Sequence, residues 1–542
     1  MDTIFSNSEA DITKSPFSRE VLQNVFNLFQ ADSNSLTNCC LVSRRWYAIA
    51  MPILWKAPRF CKRSQFNSFK DIVSNNPHVA NLVLNLDCHR YRREIILYLQ
   101  KLVQYLPNLQ SATFPCFVPL SQLSSAAESL PLLTKLTDVQ YVDINPTDEG
   151  IAFLSTMFHN CRKLKSLSLK MYGISSISIP IAFPISESLT SIELLGDEFN
   201  ETFLRAFLQR LPNLTRFELC ANDIPRNLIS TLSAHCSKVN NLKFEFTGIY
   251  SDITVHRMIK QMTQKFGGKL KKLGMFFSPE ARVSIPDDLL IKMWKSFPLL
   301  EHFGISYIQF NNSLLNSFSK YSKPHLKSLE LNYISKHNSS TLDAWDNFLG
   351  KCGTNLHSLS ISFSTLPEDL GIVIGKYCTQ LRDVSLYFTN VTDKSTLPIA
   401  KGCRRLRKFD LNTTNITSSS IEALCENCLC LEEIILDRQD NTLCPLELAP
   451  FVTFFKTRGS HIKRLCVAGW AMSHELLEAI TEYGDQLKEL RFTNGEHLSD
   501  LSLKKVMDSC VKLRRLQIIG NPGDLGISKD LLKVNDQSYC CN

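Results

Sequence analysis

The 542-residue chain is 44% hydrophobic and 21% charged, an ordinary globular balance that excludes wholesale disorder. A formal net charge of +8 over this length permits an acidic partner and falls far short of a nucleic-acid-binding signature. No apolar run approaches the ~20 residues that span a bilayer, so neither nucleic acid nor membrane is an expected partner.

The start of the chain, MDTIFSNSEADITKS, is polar and lacks the basic and apolar regions of a secretory signal. Residues 1–14 read as a disordered tail. The protein is expected in the cytoplasm, the nucleus or both, where its 19 cysteines stay reduced. Ser18 is a good N-cap for a first helix, with Glu20 in its first turn and Val21, Leu22, Val25, Phe26 and Phe29 at helical steps. The polar ADSNS then turns the chain. A second helix is predicted with Leu36, Cys39, Val42, Trp46 and Ile49 on one stripe, ended by Pro52. Cys40, Leu41, Tyr47, Ala48, Leu54 and Trp55 lie off that stripe. A piece of ~40 residues is near the lower limit for independent folding. Apolar residues on more than one face therefore imply a second buried surface, against the next segments of the chain as a cap or against a partner.

The pair FSREVLQNVFNLF and LTNCCLVSRRWYAIAMPILW resembles an F-box over residues 15–57. That family runs roughly L-P-x-E-(I/V)-L-x-x-(I/V)-F, then L-x-x-(C/A)-x-x-V-(C/S)-(R/K)-x-W, then L-W. Ser43 and Arg44 fit it, while Phe17 replaces the usual Leu, Ser18 the usual Pro, and Pro16 is displaced by two. The resemblance assigns Phe17, Glu20, Val21, Leu22, Val25, Phe26, Leu36, Leu41, Val42, Trp46, Leu54 and Trp55 to F-box packing or adaptor contact.

Residues 58–108 are expected to hold connecting helices and a first irregular repeat. From 109 to 530 the pattern L-x-x-L-x-L dominates, as in LKSLSL, LTRFEL, LHSLSI and LRKFDL. Its anchors fall at 164, 189, 214, 239, 270, 300, 326, 356, 381, 406, 431, 462, 487 and 513. Most steps are 25 or 26 residues, with weaker copies at Val79, Leu109 and Leu136, giving about seventeen turns. This period and consensus are those of a leucine-rich repeat. Each L-x-L is a short strand with one buried face, and each remainder is a helix. In NITSSSIEALCENC, Thr417 or Ser418 caps a helix whose apolar face is Ile421, Leu424, Cys425 and Cys428. One unit cannot bury its own apolar face, so neighbours must stack. The predicted fold is an α/β solenoid, a leucine-rich-repeat horseshoe with parallel strands inside and helices outside, behind a small all-α N-terminal domain. Residues 531–542 read as a C-terminal tail.

Cys161, Cys236, Cys378, Cys403, Cys428 and Cys510 each stand three residues before an anchor. This resembles the cysteine-containing subclass of the repeat, in which the residue closes the helix and stacks on its neighbours. The alternative, a metal at Cys425, Cys428 and Cys430, lacks a second ligand pair at suitable spacing.

An F-box followed by leucine-rich repeats resembles the F-box/LRR family, whose members act as substrate receptors of SCF ubiquitin ligases. The resemblance implies a Skp-type adaptor bound by the F-box, a cullin and RING subunit reached through it, and a protein substrate on the concave strands. Such a receptor needs no cofactor and does no chemistry. It raises the effective concentration of a substrate lysine near the charged E2.

Candidate substrate contacts on the exposed strand positions are Lys408, Asp410, Asn412, Glu433, Asp437, Arg464, Glu489, Arg491, Arg515 and Gln517. The longer intervals opening at Val239, Leu270, Leu326 and Leu431 are expected to emerge as loops. The residue after the anchor is basic at Lys165, Lys271, Lys327, Arg382, Arg407, Lys463, Lys488 and Arg514. An anionic partner, solvent or interspersed acids would each relieve that repulsion. Phosphate loops, nucleophile elbows and His-Glu-x-x-His motifs are absent from the sequence, which argues against an enzyme. Two other readings are a binder that uses the repeats alone and an F-box scaffold without ubiquitination.

Overall fold

The computed structural model describes residues 18–28, 33–58, 60, 63–87, 105–113, 138–144, 154–155, 157–171, 184–278, 281, 283–308, 310–332, 341–411, 416–436, 449–493, 500–510, 512–513 and 515–519. They fall in two compact units, Met1–Thr215 with His235–Lys238, and Arg216–Ala234 with Val239–Asn542. Among the described residues no helix is long and apolar enough to cross a membrane.

The first unit begins with helices α1 (Arg19–Leu28), α2 (Ser33–Val42), α3 (Arg44–Lys56), α4 (Arg63–Asn75) and α5 (Pro77–Ala80). Ser18 starts α1, its hydroxyl accepting from the Val21 N–H at 3.2 Å. Leu22, Phe26, Leu36, Cys40, Ile49, Ala50 and Ile53 close a core over α1–α3. The single second helix expected from the sequence is two helices. Ser43 is extended (φ −163°) and accepts from the Trp46 N–H at 3.2 Å, so it caps α3 and breaks the stripe. Val42 consequently points away from the core. Ser33–Ser35, read as turn, already belong to α2. Pro52 removes one intrahelical bond without ending α3, because Ile53 beyond it is buried and the helix runs on to Lys56.

The helical part is tied directly to the first repeat. Trp55 stacks on Phe69 of α4 at 6.0 Å, and the Lys56 carbonyl accepts from the Leu84 N–H at 2.9 Å. Strands β1 (Asn85–Asp87), β2 (Ser111–Thr113), β3 (Asp138–Ile144), β4 (Ser166–Met171) and β5 (Ser191–Gly196) then pair in parallel, in order. The first anchor is Val83, fully buried, and not Val79. Asn76 caps α5 by accepting from the Val79 N–H, which holds Val79 in a helix turn.

The second unit carries β6 (Arg216–Ala221), β7 (Asn241–Phe246), β8 (Lys272–Phe277), β9 (His302–Ser306), β10 (Ser328–Asn332) and β11 (Ser358–Ser362). It continues with β12 (Asp383–Ser385), β13 (Lys408–Asp410), β14 (Glu433–Ile435), β15 (Arg464–Ala471), β16 (Glu489–Thr493) and β17 (Arg515–Ile519). Neighbours again pair in parallel with repeat positions in register, as in Phe409–Ile434–Leu465–Leu490–Leu516. Those side chains are buried, while the alternate positions form a half-exposed open face. Helices such as Leu370–Tyr377, Asp393–Gly402 and Ser418–Asn427 fill the return path of each repeat. The long interval at Val239 does not simply loop out. Part of its extra length becomes the 15-residue helix Asp252–Phe266, whose apolar face is buried.

The cysteines seal the helix ends. Cys378, Cys403 and Cys428 are C-caps, and the next anchor N–H donates back to each of their carbonyls at 3.1–3.2 Å. The thiols of Cys403, Cys428 and Cys510 also reach the preceding repeat. Cys403 Sγ donates to the Cys378 carbonyl at 3.3 Å, Cys428 Sγ to Ala400 at 3.6 Å, and Cys510 Sγ to Ile480 at 3.5 Å. These carbonyls lie in the last turn of a helix or at its C-cap, where backbone acceptors outnumber intrahelical donors. Burial pushes the Cys428 and Cys510 thiols up to about 12, so they are inert hydrophobic plugs. At the opposite helix ends, Asp393 accepts from the Thr417 N–H at 2.8 Å, the Thr417 hydroxyl at 2.6 Å and the Ser420 hydroxyl. Burial opposes its ionisation, yet these hydrogen bonds hold the carboxyl below its usual range.

One repeat places a charged residue at the plug position. Lys323 stands three residues before the Leu326 anchor, where six other repeats carry a cysteine, and is itself 2% exposed. Its ammonium lies 5.1 Å from the Trp294 ring centroid, and burial lowers it to about 8. Between pH 8 and 10.5 the folded chain has released this proton while the unfolded chain keeps it. Stability from this group therefore rises with pH across that window. Lys323→Met is expected to raise stability at pH 7 by about 1–3 kcal/mol and to flatten that slope. Urea titrations of both chains from neutral to mildly alkaline pH provide the check.

Candidate functional site

Two surfaces can engage partners. On α1, Leu22 and Phe26 face inward, and Val21 and Val25 sit one residue earlier, ~100° round the helix. Val21 is 44% and Val25 40% exposed, and at the end of α2 Leu41 is 67% and Val42 60% exposed. Tyr47 on α3 is also exposed. The core beneath them is closed without these side chains, so they leave a set of uncovered apolar groups on a small domain.

The other residues assigned to this domain divide clearly. Leu22, Phe26 and Leu36 are interior. Trp46 is half-buried and meets Phe26 edge-on at 5.0 Å. Leu54 packs on the core, and Trp55 is committed to Phe69. Glu20 is exposed in the first turn of α1. Phe17 lies outside the described residues.

The second surface is the open face of the sheet. Register places Lys408, Glu433, Arg464, Glu489 and Arg515 in one row, and Asp410, Arg491 and Gln517 in the row two residues on. Asn412 and Asp437 lie outside the described residues. The charges answer one another across strands and, at Lys408 and Asp410, within one strand. Arg464 reaches Glu433 at 3.6 Å and Glu489 at 2.7 Å, Arg515 reaches Glu489 at 3.3 Å, and Lys408 lies 3.9 Å from Asp410. Arg464 is partly desolvated, yet Glu489 holds it more firmly protonated than usual. These strands present a self-neutralised mosaic.

The basic column is relieved by interspersed acids at two points. Glu301 takes Lys271 at 3.5 Å and Lys327 at 2.7 Å, and Glu432 takes Lys463 at 2.5 Å. Lys327 above all, then Lys271, holds the Glu301 carboxyl below its usual range. Arg514 lies outside the described residues.

Two features of the open face were not among the sequence candidates. Phe276 packs across Gly274 and Gly304, where an added Cβ would come within 2.8 and 2.6 Å of its ring, with the Lys243 ammonium 5.7 Å from the ring centroid. The signal was present: two successive repeats put glycine between their strand leucine positions, which marks a close approach. Past the ends of β11 and β12, Phe363 and Phe388 stack at 4.7 Å, with Tyr387 edge-on to both. Phe363 and Phe388 hold φ of 51°, and Tyr307 at the same repeat position holds 55°, a region unfavourable to aromatic residues.

Cys428 is committed to backbone carbonyls and Cys430 is exposed. Among the described residues no group of three or more His, Cys, Asp or Glu is placed to hold a metal ion.

A family model described as F-box-like matches residues 19–61. No curated protein sequence matches the chain. Among solved structures, the Rad7 and Elc1 complex in yeast is similar at 13% identity and TM-score 0.42, over 88% of this chain and 96% of that one. An internalin (inlF) from Listeria monocytogenes is similar at 15% identity and TM-score 0.30, over 76% and 81% of the two chains. The TLR13–ssRNA13 complex is similar at 13% identity and TM-score 0.34, over 81% and 61%.

The mosaic predicts a specific salt response. Glu489→Gln removes the carboxylate shared by Arg464 and Arg515, and is expected to cost about 0.5–1 kcal/mol at low salt and less at high salt. Urea titrations at the two ionic strengths measure it.

Proposed function

From the premise that residues 19–61 are an F-box-like domain followed by a repeat solenoid, we propose that the chain is a non-catalytic substrate receptor of an SCF-type ubiquitin ligase. The F-box-like helices bind a Skp-type adaptor, which joins the chain to a cullin and a RING subunit. A protein substrate lies on the open face of the strands, in the cytoplasm or the nucleus. The observation that carries this reading is the set Val21, Val25, Leu41, Val42 and Tyr47, exposed on helices whose core is already closed.

The arrangement does its work by position. The Lys56 carbonyl bond to Leu84 and the Trp55–Phe69 stack join the end of α3 directly to α4 and the first repeat. Carrying the adaptor site and the substrate site on one chain raises the effective concentration of a substrate lysine near the E2 thioester. Leu22, Phe26, Leu36 and Trp46 act as the internal frame of the adaptor surface. Lys408, Asp410, Glu433, Arg464, Glu489, Arg491, Arg515 and Gln517 are proposed contacts for substrate.

Surface and frame separate experimentally. Leu41→Asp with Val42→Asp is expected to abolish co-purification of the Skp-type adaptor while leaving the melting temperature unchanged. Phe26→Ala is expected to cost about 3–5 kcal/mol of stability. Retention of the adaptor by the Leu41→Asp/Val42→Asp chain, or its absence from wild-type protein, would sink the adaptor reading. Adaptor without cullin in the purified complex would leave a scaffold in place of a ligase receptor.

A further inference from the structure

The residue after each anchor forms a continuous row through the second unit. Backbone N–H groups link it strand to strand: Lys271 to Asn240, Glu301 to Lys271, Lys327 to Glu301, His357 to Lys327, Arg382 to His357, Arg407 to Arg382, Glu432 to Arg407, Lys463 to Glu432. Each of these bonds is 2.7–2.8 Å, so the row's order follows from the backbone and not from side-chain placement.

Along this row the chain repeatedly sets a carboxylate against ammonium groups. Glu301 is bound by Lys271 and Lys327, and Glu432 by Lys463. The stretch between them is different. Arg382 and Arg407 succeed one another on adjacent strands, both exposed, and neither side chain has a hydrogen-bond or ion-pair partner among the described residues. Glu432 beyond Arg407 is spent on Lys463. The His357 ring is turned to its own segment, Nδ1 lying 2.8 Å from the Asn355 carbonyl. The neighbouring residue Arg405 adds a further positive charge, held in place by Gln380 at 2.6 Å. Asp383, next to Arg382 in the chain, is exposed and forms no ion pair with either arginine. Adjacent strands lie ~4.8 Å apart, so the two guanidiniums repel, and among the described residues no carboxylate is bonded to either.

We infer that Arg382 and Arg407, flanked by Arg405, dock an acidic segment of a partner protein, with Asp or Glu carboxylates completing the row that the chain itself leaves open. The chain's own solution at both ends of the stretch is a carboxylate, which favours carboxylates over other anions. Each guanidinium can take one carboxylate in a two-bonded fork, a geometry ammonium groups cannot supply. An acidic strand crossing β12 and β13 would meet both arginines. This inference deepens the receptor reading by naming the chemistry of the segment the repeats bind, and rests on the repeats being the receptor surface.

The test uses the full-length chain and a fluorescein-labelled octaglutamate peptide, monitored by fluorescence anisotropy at low salt. Wild type is expected to bind, and Arg382→Gln with Arg407→Gln to weaken binding by about tenfold or more. Lys327→Gln with Lys463→Gln removes the same charge from the same row, but from cations already satisfied. It is expected to change affinity by less than about threefold. Arg382→Lys with Arg407→Lys keeps charge and loses the fork, so an intermediate affinity is expected, and this pair serves if the glutamine pair misfolds. Equal weakening by the two glutamine pairs, or no binding by wild type, overturns the inference. A phosphoserine peptide of equal charge binding about tenfold more tightly overturns the carboxylate assignment. Adaptor co-purification from the same preparations separates the two readings. Lost peptide binding with the adaptor retained fails this inference alone, and the reverse result fails only the adaptor reading.

Discussion

The in-register contact between neighbouring repeats is the constraint on which the rest depends. A single repeat has one apolar strand face and one apolar helix face, with nothing of its own to close them. Leu381, Leu406 and Leu431 are buried because the next unit repeats the same residue at the same height. The two helix ends obey the same rule. Thiols plug the carbonyl end through the preceding repeat, and Asp393 clasps the N-terminal end of the next one. Stability is therefore shared between neighbours, and a misfit such as Lys323 is tolerated because surrounding repeats hold its position.

The same constraint frees the open face. Since the buried rows settle the stacking, the alternate positions are not needed for folding and can vary in charge and size. The α1–α3 helices obey a different logic. Their core of Leu22, Phe26, Leu36 and Ile49 closes on itself, and the apolar groups left over are few and confined to particular helix faces. A scaffold region whose surface is mostly satisfied, carrying a small unsatisfied apolar set, is what an adaptor-binding element requires.

Much of this was legible in the sequence because it depends on period alone. The 25-residue step located the strands from β2 onward, the cysteines before six of the anchors announced helix ends, and Ser18 and Thr417 cap where expected. The misreadings arose where two local signals competed. VANLVLNL offers two anchors four residues apart, and only the Asn76 cap decides for Val83. The Leu36–Ile49 stripe is a good helical pattern, but a serine hydroxyl at position 43 offers the backbone a better partner. Charge pairing was illegible for a different reason. Whether Lys271 meets Glu301 or solvent depends on register across 30 residues of intervening chain, information no local window contains.

Register also decides how charge on the open face can act. A partner laid over β14–β17 meets Arg464 already bonded to Glu489, and must displace or match those bonds to gain contact energy of its own. Such a mosaic discriminates by geometry: a misaligned partner strands desolvated charges, which costs several kcal/mol, while a matched one gains little net. Among the described residues Arg382 and Arg407 have no internal bond to give up, so contact there competes only with water and salt. On the proposed receptor reading, a substrate spanning both would draw affinity from an acidic segment at Arg382 and Arg407 and selectivity from its fit to β14–β17.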